Sequence, residues 1–185
     1  SETIVMPGAD LPVRIAQRFR RYVQQLWQHD PAWAKLVGGL EDLWKGYRQN
    51  HTTKAHQPAT IISYRRPCGR RVYRRTFGLC FGFESVVVQF NRMPVLVMAT
   101  ARRLLWLMTG MYFDDECLLA IAALAAQAKT VLIHLNFLFG AVIGHAKSQP
   151  MRFTFKFLGV CTCLRDFHIC HRTLGHASST SLAMT

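Results

Sequence analysis

The sequence predicts an α+β fold, in which an antiparallel sheet carries helices on one face. Stretches with helical periodicity alternate along the chain with short apolar or β-branched runs. Two adjacent acids, Asp114 and Asp115, interrupt an apolar stretch in the manner of a β-hairpin turn. Half of the 185 residues are hydrophobic, so the chain can bury a core of one domain.

The first predicted element is an amphipathic helix over residues 11–29. Its apolar side chains recur at intervals of three and four residues: Ile15, Phe19, Tyr22 and Leu26. Asp30 and Pro31 end the helix. We expect residues 1–35 to form an N-terminal helical segment.

Three strands are predicted next. An apolar run over residues 36–40 contains two glycines and leads directly into Glu41 and Asp42. Strands over residues 59–64 and 70–76 flank the turn Pro67-Cys68-Gly69 and therefore predict a hairpin.

The second half of the chain predicts two helices around the acidic hairpin, over residues 85–108 and 122–139. Pro94 predicts a kink in the first of them. Short strands follow over residues 149–153 and 155–160. Residues 161–185 lose this periodicity and end in small polar side chains, which predicts a poorly ordered tail.

The chain is strongly basic, with 23 Lys and Arg against 10 Asp and Glu and a net charge of +13. Such an excess favours a polyanionic partner, either nucleic acid or an anionic membrane surface. Arginines cluster over residues 65–75, where Tyr64 and Tyr73 interleave them, which favours contact with nucleic-acid phosphates. A solvated basic face is the alternative interpretation.

Neither the first ten residues nor the longest uncharged stretch predicts a secretory signal or passage through a membrane. Ser1 to Asp10 lacks the pattern of a secretory signal. The uncharged stretch over residues 130–146 contains two histidines and an asparagine and is shorter than the roughly 20 apolar residues that a bilayer requires. We therefore expect an intracellular protein, in the cytoplasm or nucleus, with reduced cysteines and no membrane partner.

Asp42 precedes Asp114 by 72 positions and follows a predicted strand. If both belong to one sheet, Asp42, Asp114 and Asp115 form a cluster of three carboxylates, which repel one another unless cations lie between them. Two magnesium ions roughly 3.5–4 Å apart would satisfy such a cluster and promote phosphoryl transfer. As alternatives, Asp42 could cap a helix, and Glu41 competes with it as a metal ligand.

Five segments, in order along the chain, resemble the palm motifs of reverse transcriptases, especially those of retrotransposons and retrovirus-type polyproteins. The similar segments share aromatic, glycine and acidic positions with the family; they are Asp42-Leu43-Trp44-Lys45-Gly46-Tyr47-Arg48-Gln49, residues 77–92 with Phe81-Gly82, Tyr112-Phe113-Asp114-Asp115, Phe139-Gly140 through Lys147, and Phe157-Leu158-Gly159. The resemblance spans residues 36–160 and implies a polymerase palm there.

The resemblance also implies roles for single residues. Asp42, Asp114 and Asp115 would be catalytic ligands of magnesium, with manganese as an alternative. The remaining roles concern the nucleotide and primer: Tyr47 as a steric gate against a 2′-hydroxyl, Phe81 and Gly82 as the pocket floor, Tyr112 as a brace for the primer end, and Lys147 near the triphosphate. Phe157-Leu158-Gly159 would support the primer grip. Lys147 would act as a proton donor or as charge compensation.

Three positions depart from the family pattern, namely Gly46 in place of alanine, Cys80 in place of proline, and Glu116 in place of an apolar residue. An additional carboxylate at Glu116 could weaken the hairpin or disturb metal binding. The chain is also short, so fingers and thumb are largely absent from the expected fold.

The resemblance predicts template-directed DNA synthesis on an RNA or DNA template with a primer and dNTPs. The missing fingers, thumb and ribonuclease H regions would belong to a larger polyprotein. A catalytically inert nucleic-acid-binding remnant of the same fold is one alternative, and a small basic membrane-associated protein is another. A zinc site at Cys161, Cys163, His168, Cys170, His171 and His176 has enough ligand types but no matching spacing.

Overall fold

A computed structural model describes residues 8–26, 35–80 and 84–170 of the chain. Four α-helices lie in these ranges: α1 (Leu11–Leu26), α2 (Gly46–Gln49), α3 (Glu84–Leu104) and α4 (Ala125–Leu138). Nine β-strands accompany them: β1 (Leu36–Asp42), β2 (Ile61–Arg65), β3 (Arg71–Arg75), β4 (Met108–Tyr112), β5 (Asp115–Ile121), β6 (Gln149–Arg152), β7 (Thr154–Phe157), β8 (Val160–Cys163) and β9 (His168–Cys170). Short 3₁₀ helices precede β2 and α4, at Lys54–Thr60 and Ala122–Leu124.

The central sheet has four antiparallel strands in the order β4-β5-β1-β6. Strand β1 pairs with β5 from Leu36 opposite Ile121 to Asp42 opposite Asp115. Since successive residues of a strand point to opposite faces, this register assigns Asp42 and Asp115 to one face and Glu41 to the other.

The two faces of the central sheet are covered by different elements. On the face that carries Glu41, side chains of α3 and α4 pack around Leu118 of β5. On the face that carries Asp42, Ala16 of α1 and Phe155 and Phe157 of β7 pack against β1 and β5. The α+β class, the antiparallel sheet and the helices packed on it are confirmed, and α1 adds a helix on the second face.

The arginine-rich hairpin forms a sheet of its own from β2 and β3. Gly69 adopts a φ of 81° in its turn, a conformation that favours glycine. At the base of the hairpin, the Thr60 hydroxyl donates to the carbonyl of Thr76, and the Thr76 hydroxyl donates to the carbonyl of Thr60. The predicted hairpin is therefore present, with its first strand starting two residues late because Lys54–Thr60 is a 3₁₀ helix.

The third sheet corrects the expectation of a poorly ordered tail from Cys161 onward. Strands β7, β8 and β9 form an antiparallel sheet that continues to Cys170. Leu164 is buried in the same core cluster as Phe155, which anchors this segment. The expectation is thus wrong for residues 161–170, and residues 171–185, with His171 and His176, lie outside the described part of the chain.

None of the helices in the described ranges is long and apolar enough to cross a membrane. The stretch over residues 130–146 divides between α4 and the loop after it. Gly140, with a φ of 78°, follows α4 and ends the helix where the sequence predicts its end.

Candidate active site

The site is built by the register of β1, β5 and the turn that precedes β5. Asp42 ends β1 directly opposite Asp115, the first residue of β5. Asp114 lies in the turn between β4 and β5, and its carbonyl accepts a hydrogen bond of 3.0 Å from the amide of Leu43. Phe113 occupies the other turn position with a φ of 54°. The turn and the end of β1 therefore bring Asp42, Asp114 and Asp115 to one edge of the central sheet.

The three carboxylates influence one another electrostatically. Burial raises the pKa of Asp115 above its ordinary value, and the charges of Asp114 and Asp42 raise it further. Lys147 acts in the opposite direction and lowers the pKa of Asp115. Since charged neighbours shift a pKa only from close range, the aspartates form a single electrostatic unit.

Lys147 supplies a cation to this unit. Its ammonium nitrogen lies 3.0 Å from Oδ1 of Asp42, although 70% of the lysine side chain is exposed. The hydrogen bond to Asp42 raises the pKa of Lys147, and the charges of Asp114 and Asp115 add to this effect. The lysine thus stays protonated and partly compensates the repulsion among the acids.

The donor chemistry of this edge fits a divalent cation, because carboxylate oxygens are the ligands that magnesium and manganese prefer. In the arrangement seen across the described ranges, however, no group of three His, Cys, Asp or Glu side chains converges closely enough to hold a metal ion. One oxygen of Asp42 is engaged by Lys147 instead. A metal ion at this edge would therefore compete with the ammonium group for Asp42.

Tyr47 lies beside the acids on the short helix α2. Its ring stacks on Phe90 of α3 with 4.3 Å between ring centroids and an interplanar angle of 21°. Burial raises the pKa of Tyr47, and the charge of Asp114 contributes. Gly46 makes this packing possible, since a Cβ there would lie 3.0 Å from the Phe90 ring and 3.3 Å from Cβ of Asp114.

Gln49 fastens the segment after Asp42 to the loop after α4. Its amide nitrogen donates to the carbonyls of Trp44 and Val142, and its Oε1 accepts from the amide of Val142 at 2.7 Å. A further bridge pairs Leu43 with Ile143. These contacts position the loop that carries Lys147 beside Asp42.

Glu41 does not compete with Asp42 at this edge. It lies on the opposite face of the sheet, where its Oε1 is 2.7 Å from the ammonium group of Lys129 on α4. Ser148 also donates to the Glu41 carboxylate. The register therefore resolves the choice between the two neighbouring acids in favour of Asp42 for the acidic edge.

Glu116 is fully buried on the same face as Glu41, and the two are direct cross-strand partners. Asn136 donates to its Oε2 at 2.8 Å. Burial raises the pKa of Glu116 to about 7, against the effect of its hydrogen bonds. The additional carboxylate thus points away from the acidic edge and is accommodated in a polar pocket under the sheet.

The hydroxyl of Thr109 completes this pocket, and its contacts indicate whether Glu116 is protonated. It lies 2.9 Å from the carbonyl of Cys117 and 3.2 Å from Oε1 of Glu116. A hydroxyl has one proton, and a carbonyl cannot donate. When the Thr109 proton serves the carbonyl, a protonated Glu116 can donate to the Thr109 oxygen, so the neutral acid satisfies the pocket better than its anion.

The other residues assigned by resemblance lie at several places. Tyr112 ends β4 opposite Asp115, and its ring meets that of Phe113 edge to face at 5.0 Å. Phe157 is buried in the core, and Leu158 and Gly159 form the turn to β8 with φ values of 50° and 77°. Phe81 and Gly82 lie outside the described residues, so their assignment stays a prediction.

Sequence reasoning missed the polar residues under the sheet, namely Lys129, Thr109 and Asn136. Lys129 and Asn136 are two of five polar residues in the otherwise apolar helix α4, so the sequence does not single them out as buried. The partners themselves are far apart in sequence and could not be named from it. Gln49 was part of a recognised motif, but its clamp on Val142 depends on the fold.

Comparison with solved structures shows which fold this is. The foamy viral protease-reverse transcriptase in complex with an RNA/DNA hybrid matches 69% of the chain with a TM-score of 0.58 and 18% identity. Telomerase from Candida albicans, in complex with a fragment of telomeric RNA, matches 89% with a TM-score of 0.60 and 12% identity. Apo telomerase from Candida tropicalis matches 91% with a TM-score of 0.60 and 14% identity.

These matches cover 16%, 35% and 37% of the respective solved chains, so this chain spans well under half of each. No protein-family model and no curated protein sequence matches it. At such low identity the likeness concerns the fold. The chain therefore has a mixed α/β architecture of antiparallel sheets and helices, similar to the polymerase domains of reverse transcriptase and telomerase.

Proposed function

We propose that this chain is the palm of an RNA-directed DNA polymerase of the retrotransposon type. It would join the 3′-oxygen of a primer to the α-phosphate of a deoxynucleotide, with loss of the hydroxyl proton and departure of pyrophosphate. The observation that carries the proposal is the direct pairing of Asp42 with Asp115, next to Asp114 in the hairpin turn. The fold shared with reverse transcriptase and telomerase structures supports it.

Asp42, Asp114 and Asp115 would hold the magnesium ions, with manganese as an alternative. When bound, such ions lower the pKa of the attacking hydroxyl and neutralise charge on the leaving group. Burial, together with the charges of Asp114 and Asp42, raises the pKa of Asp115, and a bound cation would offset these effects, which supports this assignment.

Lys147 would act on the departing pyrophosphate. Its ammonium group is already at the acidic edge, and the raised pKa keeps its proton in place at neutral pH. Once Asp42 is engaged by a cation, the exposed lysine is free to turn toward a triphosphate. It would then donate a proton to the leaving group or balance its charge.

Tyr47 would lie beneath the incoming sugar. Its stack on Phe90 and the close approach of Gly46 fix the ring next to Asp114. A ring held in this way can exclude a 2′-hydroxyl by steric conflict, which would select deoxynucleotides. Tyr112 would brace the primer end from the last position of β4.

The proposal predicts primer extension on an RNA template with magnesium and dNTPs, compared with Asp114→Asn. Asp10→Asn is the matched control, because Asp10 is a half-buried acid directly before α1 that forms an ion pair with Arg14. We expect extension to fall at least 100-fold in Asp114→Asn and to persist in the control. Template binding by the parent chain without any extension would reject the catalytic proposal for this chain.

Nucleic-acid binding without chemistry is the second candidate function. The net charge of +13 and the exposed arginine hairpin favour it independently of the acids. It predicts salt-dependent binding that is unchanged in Asp114→Asn and is not followed by extension when magnesium and dNTPs are present. The extension assay separates the two candidates, whereas a binding assay alone does not.

A further inference from the structure

The hairpin of β2 and β3 is the most basic exposed surface of the described chain. Residues 43–83 contain nine Lys or Arg and no Asp or Glu. Every residue of β2 and all of β3 except Val72 is exposed. Among the described residues, none of the ion pairs involves an arginine of this hairpin. Its charge therefore has no compensation within the described fold.

The strand register separates the hairpin into two unequal faces. Directly paired residues share a face, and successive residues alternate. The basic face carries three arginines, a tyrosine and two smaller residues: Arg65, Arg71, Arg75, Tyr73, Ser63 and Ile61. The opposite face carries a single strand arginine with apolar and aromatic neighbours: Arg74, Ile62, Tyr64 and Val72.

The basic face contains an unfavourable pair. Arg65 and Arg71 are direct cross-strand partners, and like charges in this position destabilise a hairpin. An anion that bridges the two guanidinium groups would remove this repulsion. Arginine binds phosphate oxygens in a bidentate manner, so a phosphate is a fitting ligand for the pair.

Tyr73 lies between Arg71 and Arg75 on the same strand and the same face. Its side chain is 63% exposed, which is unusual for a tyrosine in a strand. Exposed aromatic rings flanked by basic residues stack on unpaired bases while the cations contact the backbone. A lipid surface would also use the charges and could accept the ring among its headgroups, but it would offer no base for the ring to stack on.

From this arrangement we propose that the basic face of the β2–β3 hairpin binds single-stranded nucleic acid, with Arg65, Arg71 and Arg75 on the phosphates and Tyr73 stacked on a base. This deepens the second candidate function, on which it rests for the class of partner, by naming the strand form, the face and the residues that bind. It requires neither the acidic edge nor chemistry.

The test compares the two faces of the hairpin in the full chain carrying Asp114→Asn, without magnesium or dNTPs. Fluorescence anisotropy of a labelled 16-nucleotide single strand gives the affinity and its dependence on salt. Tyr73→Ala should weaken binding about tenfold, whereas Tyr64→Ala, on the opposite face, should change it less than twofold. Equal effects of the two tyrosine substitutions would overturn the proposal.

The arginines are tested by Arg65→Gln/Arg71→Gln/Arg75→Gln against Arg74→Gln. Each phosphate contact contributes about 0.7 to the slope of log K against log salt for a single strand, so the triple variant should lower that slope by about 2. Arg74→Gln should leave the slope unchanged, whereas a loss of about 0.7 would place Arg74 on a phosphate as well and overturn the choice of face. Circular dichroism of all variants should match the parent, which excludes unfolding as the cause.

Two further outcomes identify other partners. Tighter binding to a duplex of equal length than to the single strand would overturn stacking by Tyr73. Binding to phosphatidylserine vesicles that depends on Tyr73 as strongly as binding to the oligonucleotide would assign the face to membranes instead. Because no extension is measured, failure of the catalytic proposal leaves these results unaffected.

Discussion

The ammonium group of Lys147 lies 3.0 Å from the carboxylate of Asp42, 105 residues earlier in the chain. The lysine side chain is exposed, whereas the aspartate is buried at the end of β1. The charge of Lys147 acts on the acidic edge, since it lowers the pKa of Asp115 and its own pKa is raised by Asp42. It also makes the lysine a competitor for any metal ion that uses Asp42.

Substitution of Lys147 distinguishes its two proposed roles. Arginine keeps the charge but cannot release its proton in a protein, whereas alanine removes both. If proton donation matters, Lys147→Arg should reduce extension about as strongly as Lys147→Ala, by roughly 10²-fold or more. If charge compensation is sufficient, Lys147→Arg should retain most activity. Single-turnover rates between pH 6 and 9 provide the measurement.

The same contact predicts a change in metal affinity that needs no catalysis. Removal of the ammonium group leaves Asp42 without its partner, so Lys147→Ala should bind Mn²⁺ more tightly than the parent. Titration of Mn²⁺ followed by electron paramagnetic resonance checks this. Lys156→Ala, an exposed lysine on β7, is the control and should bind Mn²⁺ as the parent does. An unchanged affinity in Lys147→Ala would argue against Asp42 as a ligand.

The raised pKa of Glu116 predicts that the free energy of unfolding depends on pH. Its pKa rises from 4.5 to about 7 on folding, so the native state binds more protons than the unfolded state between these values. The free energy of unfolding should therefore fall as pH rises from about 4.5 to 7, by a total of about 3 kcal/mol for this group. Urea unfolding at pH 5 and pH 8 measures the difference.

Glu116→Gln should remove most of this pH dependence. The glutamine amide can donate to Thr109, and its oxygen can accept from Asn136, as the neutral acid does. We expect the variant to be more stable than the parent at pH 8 and similar at pH 5. A variant that loses stability equally at both pH values would show that the carboxylate is needed as an anion.

Gly46→Ala tests the close packing beneath the acids. Alanine in a helix ordinarily stabilises by about 0.5–1 kcal/mol relative to glycine. Here the new methyl group would meet the Phe90 ring at 3.0 Å, so we expect destabilisation of about 1–3 kcal/mol instead. Phe90→Leu should rescue part of this loss in a double-mutant cycle. Thermal unfolding of the four proteins supplies the coupling energy.

Gln49→Ala should disturb the position of Lys147 more than the stability of the fold. It removes three hydrogen bonds, two to Val142 in the loop after α4 and one to Trp44, which corresponds to about 1–3 kcal/mol. We expect extension to fall at least tenfold with a modest loss of stability. Gln127→Ala, at an exposed position of α4, controls for loss of a glutamine and should leave both unchanged.

Much of the fold follows from local patterns in the sequence. The hairpin around Asp114 and the hairpin of β2 and β3 were predicted because turn residues separate short apolar or basic runs. The tail was predicted wrongly for residues 161–170, since β8 and β9 are short and Leu164 between them is buried in a core cluster with residues distant in sequence, such as Leu36 and Cys117. Periodicity is weak in strands of three or four residues.

The candidate site was predictable in its acids but not in their partners. Asp42 and Asp115 meet because β1 and β5 pair in one register, and the ordered motifs provided that expectation. Lys129, the partner of Glu41, could not be named from the sequence. The two residues are 88 positions apart, and no sequence pattern relates a strand residue to a helix residue at that distance. The polar pocket of Glu116 likewise depends on α4 packing against β5.

The register of β1 against β5 decides which acids meet at this edge, because side chains alternate between the two faces of a strand. Each strand carries adjacent acids, so one aspartate and one glutamate of each pair face opposite sides. A slip of one strand by a single residue would turn its aspartate toward α3 and α4 and its glutamate toward the acidic edge, whereas a slip by two would keep the faces. Insertions and deletions here should therefore be tolerated, if at all, in even numbers.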